Sequence, residues 1–172
     1  NLKSVGQVQI VKNNKTILYF DSGGPPNYKV SKDYQSGPLS FEYSSDKDKI
    51  ITNCGYGRKI SKKIQILSKF TSGQSTLCID DTSVVKFKKS NIINKAYGST
   101  ISNTFKIFDV ERKENKENVE ISATHNAYLE KFGYLHKRKI NFYKKSSSID
   151  GSDYLIKKHG SSDVNFSIRF HL

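Results

Sequence analysis

The chain has 172 residues, 35% of them hydrophobic and 12% aromatic, with a formal net charge of +13. That length supports one domain with a real core, and no apolar run is long enough to span a bilayer. The two cysteines, Cys54 and Cys78, show neither CxxC spacing nor a Cys/His cluster, which excludes a structural zinc site of that kind; they read as buried free thiols rather than a disulfide. Most of the positive charge is lysine, since the arginines are Arg58, Arg112, Arg138 and Arg169. A basic balance favours a polyanionic partner, although lysines scattered for solubility are the plainer reading. The chain opens on Asn1, contains no Met and carries no signal-peptide pattern, so it reads as processed or as a fragment.

Val5 to Val11 and Lys15 to Phe20 flank Asn13-Asn14 and predict a hairpin. A Gly-Gly-Pro-Pro turn at Gly23 to Pro26 opens a polar loop. No Lys-Ser/Thr follows it, so it is not a phosphate loop. Leu39, Phe41 and Tyr43 alternate with polar residues as a half-buried strand does. Ser45, Asp46 and Asp48 supply turn chemistry, and Ile50 to Cys54 returns as a strand. Arg58 to Lys69 carries helical spacing at Ile60, Ile64 and Leu67, or is an irregular loop. Gln74 to Asp80 and Thr82 to Phe87 read as strands, and Lys88 to Tyr97 as a polar loop. Long antiparallel strands follow: Thr104 to Arg112, Val119 to Leu129 after a charged tip at Lys113 to Asn118, and Tyr134 to Tyr143. Leu135, Arg138, Ile140 and Phe142 fall near one face of the last of these. Ser146 to Ile149 and Asp153 to Lys157 read as a pair broken at Asp150-Gly151. Val164 to Leu172, with Phe166, Ile168 and Phe170 in alternation, predicts a closing core strand. Many short strands and at most one short helix argue for an all-β antiparallel sandwich in a single domain.

Three segments in order, GPLSFEYSS with IITNCGYG, then QSTLCIDDTS, then ATHNAYLEKFGYLHKRKINFY with NFSIRFHL, resemble the C-terminal β-sandwich domain of the heparinase II/III family. The resemblance covers Asp21 to Leu172. It implies a longer protein with an N-terminal α/α-toroid domain, placed in the periplasm or cell envelope, that cleaves an acidic, uronate-containing polysaccharide by β-elimination. In the family a Tyr from the helical domain and a loop His move the protons, and some members bind zinc through His, Asp and His. Carried onto this chain, the catalytic loop position is Asp33 and the three metal positions are Gln35, Asn53 and Gln74. Asp33 is a weak candidate base, because a carboxylate is far less basic than imidazole. Three neutral amides bind zinc poorly, so they predict a polar cluster held by amide hydrogen bonds, with no metal and no cofactor.

Four further residues are candidates for substrate binding. His125 and Tyr128 lie three apart in THNAY, which on a strand sends them to opposite faces. His125 is a substrate contact or a hydrogen-bonded structural histidine. His136 and Arg138 share a face of LHKRK; an Arg fork there would clamp a sulfate or carboxylate, or the face is a solvated edge guarded by charge. His159 sits in a Gly/Ser loop, and His171 points away from the Phe166 face. Aromatic residues at core spacing, without an RNA-binding or helix-turn-helix signature, argue against nucleic acid.

Overall fold

Alternating strands with one greasy face must cover that face with another sheet, and this chain does so with two. The computed structural model describes residues 4–57, 60–88, 99–160 and 163–172. The first sheet is formed in chain order by β1 (Ser4–Val5), β2 (Val8–Asn13), β3 (Thr16–Asp21), β4 (Phe41–Ser45) and β5 (Asp48–Ile51). A small antiparallel pair joins β6 (Leu77–Ile79) to β11 (Phe166–Ile168). The second large sheet holds β7 (Ile107–Glu114), β8 (Asn118–His125), β9 (Tyr134–Tyr143) and β10 (Ser148–Lys157), in the order β10-β9-β8-β7. Two short helices, α1 (Lys62–Leu67) and α2 (Leu129–Phe132), sit in the connections.

The main core lies between the two large sheets. Val11, Leu18, Phe20, Leu39, Phe41 and Tyr43 come from one side, and Val119, Ile121, Ala123, Ile140 and Phe142 from the other. Apart from Leu39, which lies two residues before β4, these are period-2 positions of β2, β3, β4, β8 and β9, as a two-layer sandwich requires. A second cluster, with Leu77, Ile79, Val84, Val85, Ile101, Phe105 and Tyr128, forms around the small sheet. Polar ties also cross the layers, among them Arg112 Nη1 donating to Ile10 O at 2.9 Å and Asn13 Nδ2 to Lys144 O at 2.7 Å.

The all-β sandwich expected from the sequence is the fold observed. Several local readings differ. Val5 to Val11 is not one strand, because Gly6, at φ 57°, turns β1 back onto β2. The next turn is at Asn14-Lys15, one residue later than expected, with Asn14 in the left-handed region that Asn tolerates. The pair expected at Ser146 to Ile149 and Asp153 to Lys157 is one strand, because β10, from Ser148, pairs with β9 through Asp150 and Gly151 in a regular ten-residue register. Thr82 to Phe87 makes no strand beyond a single bridge from Phe87 to Ile101. The helical spacing after Arg58 gives α1, capped by Ser61 Oγ accepting from Ile64 N; Arg58 itself and most of the loop at 88–97 lie outside the described residues. A second helix, α2, forms where Val119 to Leu129 was expected to stay extended, since β8 ends at His125.

The closing strand is the largest departure. Phe166 and Phe170 are 58% and 52% exposed, so their alternation marks a surface face and not a core strand. Ser167, on the opposite face, sits against Cys78 in the register. Cys78 is a buried free thiol as expected, whereas the free Cys54 is exposed.

Two glycines should separate backbone geometry from strand propensity. Gly133 has φ 79° and a Cβ there would strike the carbonyl of His159, so Gly133→Ala is expected to cost more than ~2 kcal/mol. Gly151, on β10, has open space around it, so Gly151→Ala is expected to be neutral or to stabilise by up to ~1 kcal/mol. Urea denaturation midpoints of the two variants decide both signs.

Candidate functional site

The residues singled out from LHKRK and THNAY meet in the interior. Because β9 lies between β8 and β10, His136 and Arg138 face inward beside Ile140 and Phe142, while Leu135 belongs to the other face. They are 0% and 2% exposed, which corrects the expectation of a solvated sheet edge. The register puts His136 opposite His125 on β8 and Arg138 opposite Asp153 on β10. Arg138 Nε donates to Asp153 Oδ1 at 2.8 Å and Nη2 to Oδ2 at 2.9 Å, a two-pronged fork. Its Nη1 donates to Leu39 O at 2.9 Å and to Ser75 O at 2.8 Å.

A histidine chain runs into the same carboxylate. Ala127 N donates to His125 Nδ1, so that nitrogen carries no proton and His125 Nε2 is the N–H that faces His136 Nδ1 at 3.0 Å. His136 Nε2 is then the donor to Asp153 Oδ1 at 2.6 Å. Burial holds both imidazoles below their ordinary value, most strongly His125, which also feels His136 and Arg138. Burial works to raise the Asp153 carboxyl, but the hydrogen bonds and charges of His136 and Arg138 outweigh it and bring the group down to about 2. Tyr128 joins from the turn after β8. Its ring lies 5.4 Å from that of His125, and its hydroxyl donates to Leu77 O at 3.0 Å. The opposite-faces expectation fails because the chain leaves the strand at Asn126.

The three amide positions converge elsewhere, in a cleft of about 310 Å³ beside β3 and β4. Gln35, Asn53 and Gln74 line it with Tyr19, Asp21, Gly37, Ser40 and Glu42. They do not bond to one another, contrary to expectation. Asn53 Oδ1 accepts from Ser75 N at 2.8 Å, and Gln74 Nε2 donates to Ser68 O at 2.9 Å. Gln35 Nε2 is buried without a partner. Gly37 lets the loop pass close to Gln74, since a Cβ there would lie 3.0 Å from Gln74 Cγ. Asp21 Oδ1 accepts from Gly23 N at 2.8 Å, yet burial dominates and pushes its carboxyl up to about 6.

Asp33 lies outside that cleft lining. It is exposed, and its Oδ1 accepts from Tyr56 Oη at 2.7 Å, with Gln65 Nε2 on the same hydroxyl. Sequence reasoning missed Asp153, Asp21 and Glu42. Asp153 was hidden by the broken-strand reading, which removed the register that places it; Asp21 and Glu42 stand at strand positions with nothing in their spacing to pair them.

A zinc ion of the kind found in some heparinase II/III proteins does not fit these side chains. Three amides and two carboxylates offer no imidazole or thiolate, and one amide oxygen already accepts a backbone hydrogen bond. Among the described residues no three His, Cys, Asp or Glu side chains are grouped to hold a metal.

The buried network sets a pH dependence. The unfolded chain takes up protons as the pH falls through the ordinary imidazole value of 6.5, and the two buried histidines do not follow. Stability is then full above that value and declines below it, by up to ~1.4 kcal/mol per pH unit for each imidazole. Asp153 adds a further loss from its ordinary 3.8 down to about 2. Asp21 opposes the decline: the folded chain protonates it at about 6, before the unfolded chain does at 3.8. Urea midpoints between about pH 5 and 7.5 should fall with falling pH, and more steeply in Asp21→Asn. Arg138→Ala, which strands a buried carboxylate, is expected to cost about 3–5 kcal/mol in the same assay.

Comparison with known proteins bears on this arrangement at one level only. No curated protein and no solved structure matches the chain. The Heparinase II/III-like, C-terminal family matches residues 1–172, the sandwich, the amide cleft and the buried network together, and the chain belongs to that family.

Proposed function

We propose that this chain is the sandwich domain of a polysaccharide lyase that acts on an acidic, uronate-containing polysaccharide by β-elimination, within a longer protein whose N-terminal helical domain completes the site. The family match over the whole chain carries the reading. The same reading puts the protein in the periplasm or cell envelope.

The reaction asks for three things. The uronate carboxylate must be neutralised so that the C5 proton becomes acidic, a base must take that proton, and an acid must protonate the departing O4. This chain supplies little of that. His125 and His136 are locked in the interior with both ring nitrogens engaged. Among the described residues the amide cleft is lined by no cation and no histidine, and so by nothing that would neutralise a uronate. Burial raises the basicity of the Asp21 carboxylate, but it shares with Glu42 a cleft that repels an anionic sugar. The chain's part is accordingly to bind and orient the polymer, with the proton transfers made by groups of the helical domain.

A second reading is a non-catalytic glycan-binding or scaffold module of the same family. The replacement of every metal-position side chain by an amide favours it. The longer protein, incubated with heparin, heparan sulfate and alginate, is expected to release unsaturated product, followed by its absorbance, and this chain alone to release none. Retained binding without product from the longer protein selects the second reading. Turnover by this chain alone overturns the assignment of the proton transfers to another domain.

A further inference from the structure

Two clefts of opposite character stand out. Among the described residues, the amide cleft carries two carboxylates and no cation. The other, of about 460 Å³, is lined by Pro25, Pro26, Asn27, Tyr28, Lys88 and the segment 101–104, with no carboxylate among the described lining residues. Tyr28 stands at its mouth, 52% exposed. Two ammonium groups lie over its ring, Lys88 Nζ at 5.4 Å and Lys29 Nζ at 6.0 Å from the centroid. Among the described residues neither lysine enters an ion pair.

The cleft is a built feature rather than a chance gathering of lysines. Ser31 Oγ accepts from Ile101 N at 3.0 Å and donates to Tyr28 O at 2.7 Å, joining the two walls. Lys88 N donates to Thr100 O and Ser102 N to Lys86 O, both at 2.8 Å, which sets the Lys88 stem beside the ring. Asn103 is spent on the scaffold, accepting from Lys86 N and donating to Val84 O. Asn27 Oδ1 accepts from Lys29 N, while among the described residues its Nδ2 and the exposed Thr104 hydroxyl have no partner and remain for a ligand. The cleft thus offers an exposed aromatic ring with two ammonium groups close to it, an amide N–H and a hydroxyl. That set matches a ring with an apolar face, a fixed negative charge and hydroxyls at its rim.

We propose that the cleft around Tyr28 is a subsite for an acidic sugar residue, stacked on the Tyr28 ring with its carboxylate or sulfate between Lys29 and Lys88. The proposal rests on the acidic-polysaccharide reading and adds to it where on this chain the polymer lies. The carboxylate-lined amide cleft is not that place.

Binding of the chain to short oligosaccharides from heparin and from alginate, at about 0.1 M salt so that diffuse attraction is screened, tests it. A neutral cello-oligosaccharide of matched length and an oligothymidylate serve as comparisons. Tyr28→Ala and the double variant Lys29→Ala/Lys88→Ala should each weaken the acidic ligands roughly tenfold, and Tyr28→Phe by less than about twofold. Lys47→Ala/Lys116→Ala removes the same charge from two hairpin tips and should change affinity by less than about twofold. Equal losses in the site and hairpin variants, or full affinity in Tyr28→Ala, overturn the subsite while leaving the acidic-polysaccharide reading in place. Failure of the unaltered chain to bind either acidic oligosaccharide overturns both. Tighter binding of the oligothymidylate through the same residues overturns the ligand class.

Discussion

One guanidinium fixes the relation between the parts of this protein. Arg138 reaches from the centre of the second sheet to Asp153 on the neighbouring strand, and to the carbonyls of Leu39 and Ser75. Leu39 ends the long loop that carries Gln35 and Gly37, and Ser75 follows Gln74. The walls of the amide cleft are therefore hung from a buried cation on the opposite sheet. No other side chain has the reach and the planar array of five donors for this: a lysine would replace the fork with a point charge. The geometry exacts a local distortion. Leu39 adopts φ 58°, a region L-residues avoid, while its side chain remains wholly buried in the main core. Such a conformation persists only where the surroundings over-determine it; here the pull of Arg138 on the carbonyl and the packing of the side chain act together.

That constraint also settles what the histidines are. A buried carboxylate that accepts two bonds from an arginine still has lone pairs to satisfy. His136 supplies the remaining donor, His125 supplies the acceptor-to-donor link behind it, and the Ala127 amide closes the line. Each member has one tautomer consistent with its neighbours. The network is fully paired, which is the condition under which buried polar groups specify a core and do not weaken it. Its histidines belong to the frame that holds the cleft, at one remove from any substrate.

How much of this could be read from the sequence follows from the range of each interaction. The sandwich was legible because its signal is local: Phe41 and Tyr43 announce a half-buried strand within a few residues, as do Ile140 and Phe142. The convergence of Gln35, Asn53 and Gln74 on one cleft was legible only through the family resemblance, which carries register that no single segment contains. What failed needed register between segments. Asp153 meets Arg138 only if β10 runs unbroken through Asp150 and Gly151, and Gly is a poor strand former whose appearance suggests a break. His125 meets Tyr128 only because the strand stops at Asn126. The alternation of Phe166 and Ile168 does mark one face of β11, but Phe170 lies beyond that strand, and periodicity reports a face without saying whether another layer covers it.

The distribution of charge carries the functional argument a step further. A net charge of +13 draws polyanions towards the whole surface, without choosing a place on it. Choice comes from local contrast. At the amide cleft the chain sets Asp21 and Glu42 against that general field, and burial raises the Asp21 carboxyl as any withheld solvation does. At the Tyr28 cleft it does the reverse, gathering two ammonium groups around an exposed ring with no carboxylate among the described lining residues. On the proposed reading, an acidic polymer arriving under the long-range field is repelled at the first and drawn to the second. Both clefts share the loop that runs from β3 to β4: Gln35, near its end, faces the carboxylates, and Tyr28, near its middle, faces the lysines. The loop that Arg138 anchors at Leu39 therefore carries residues of both clefts.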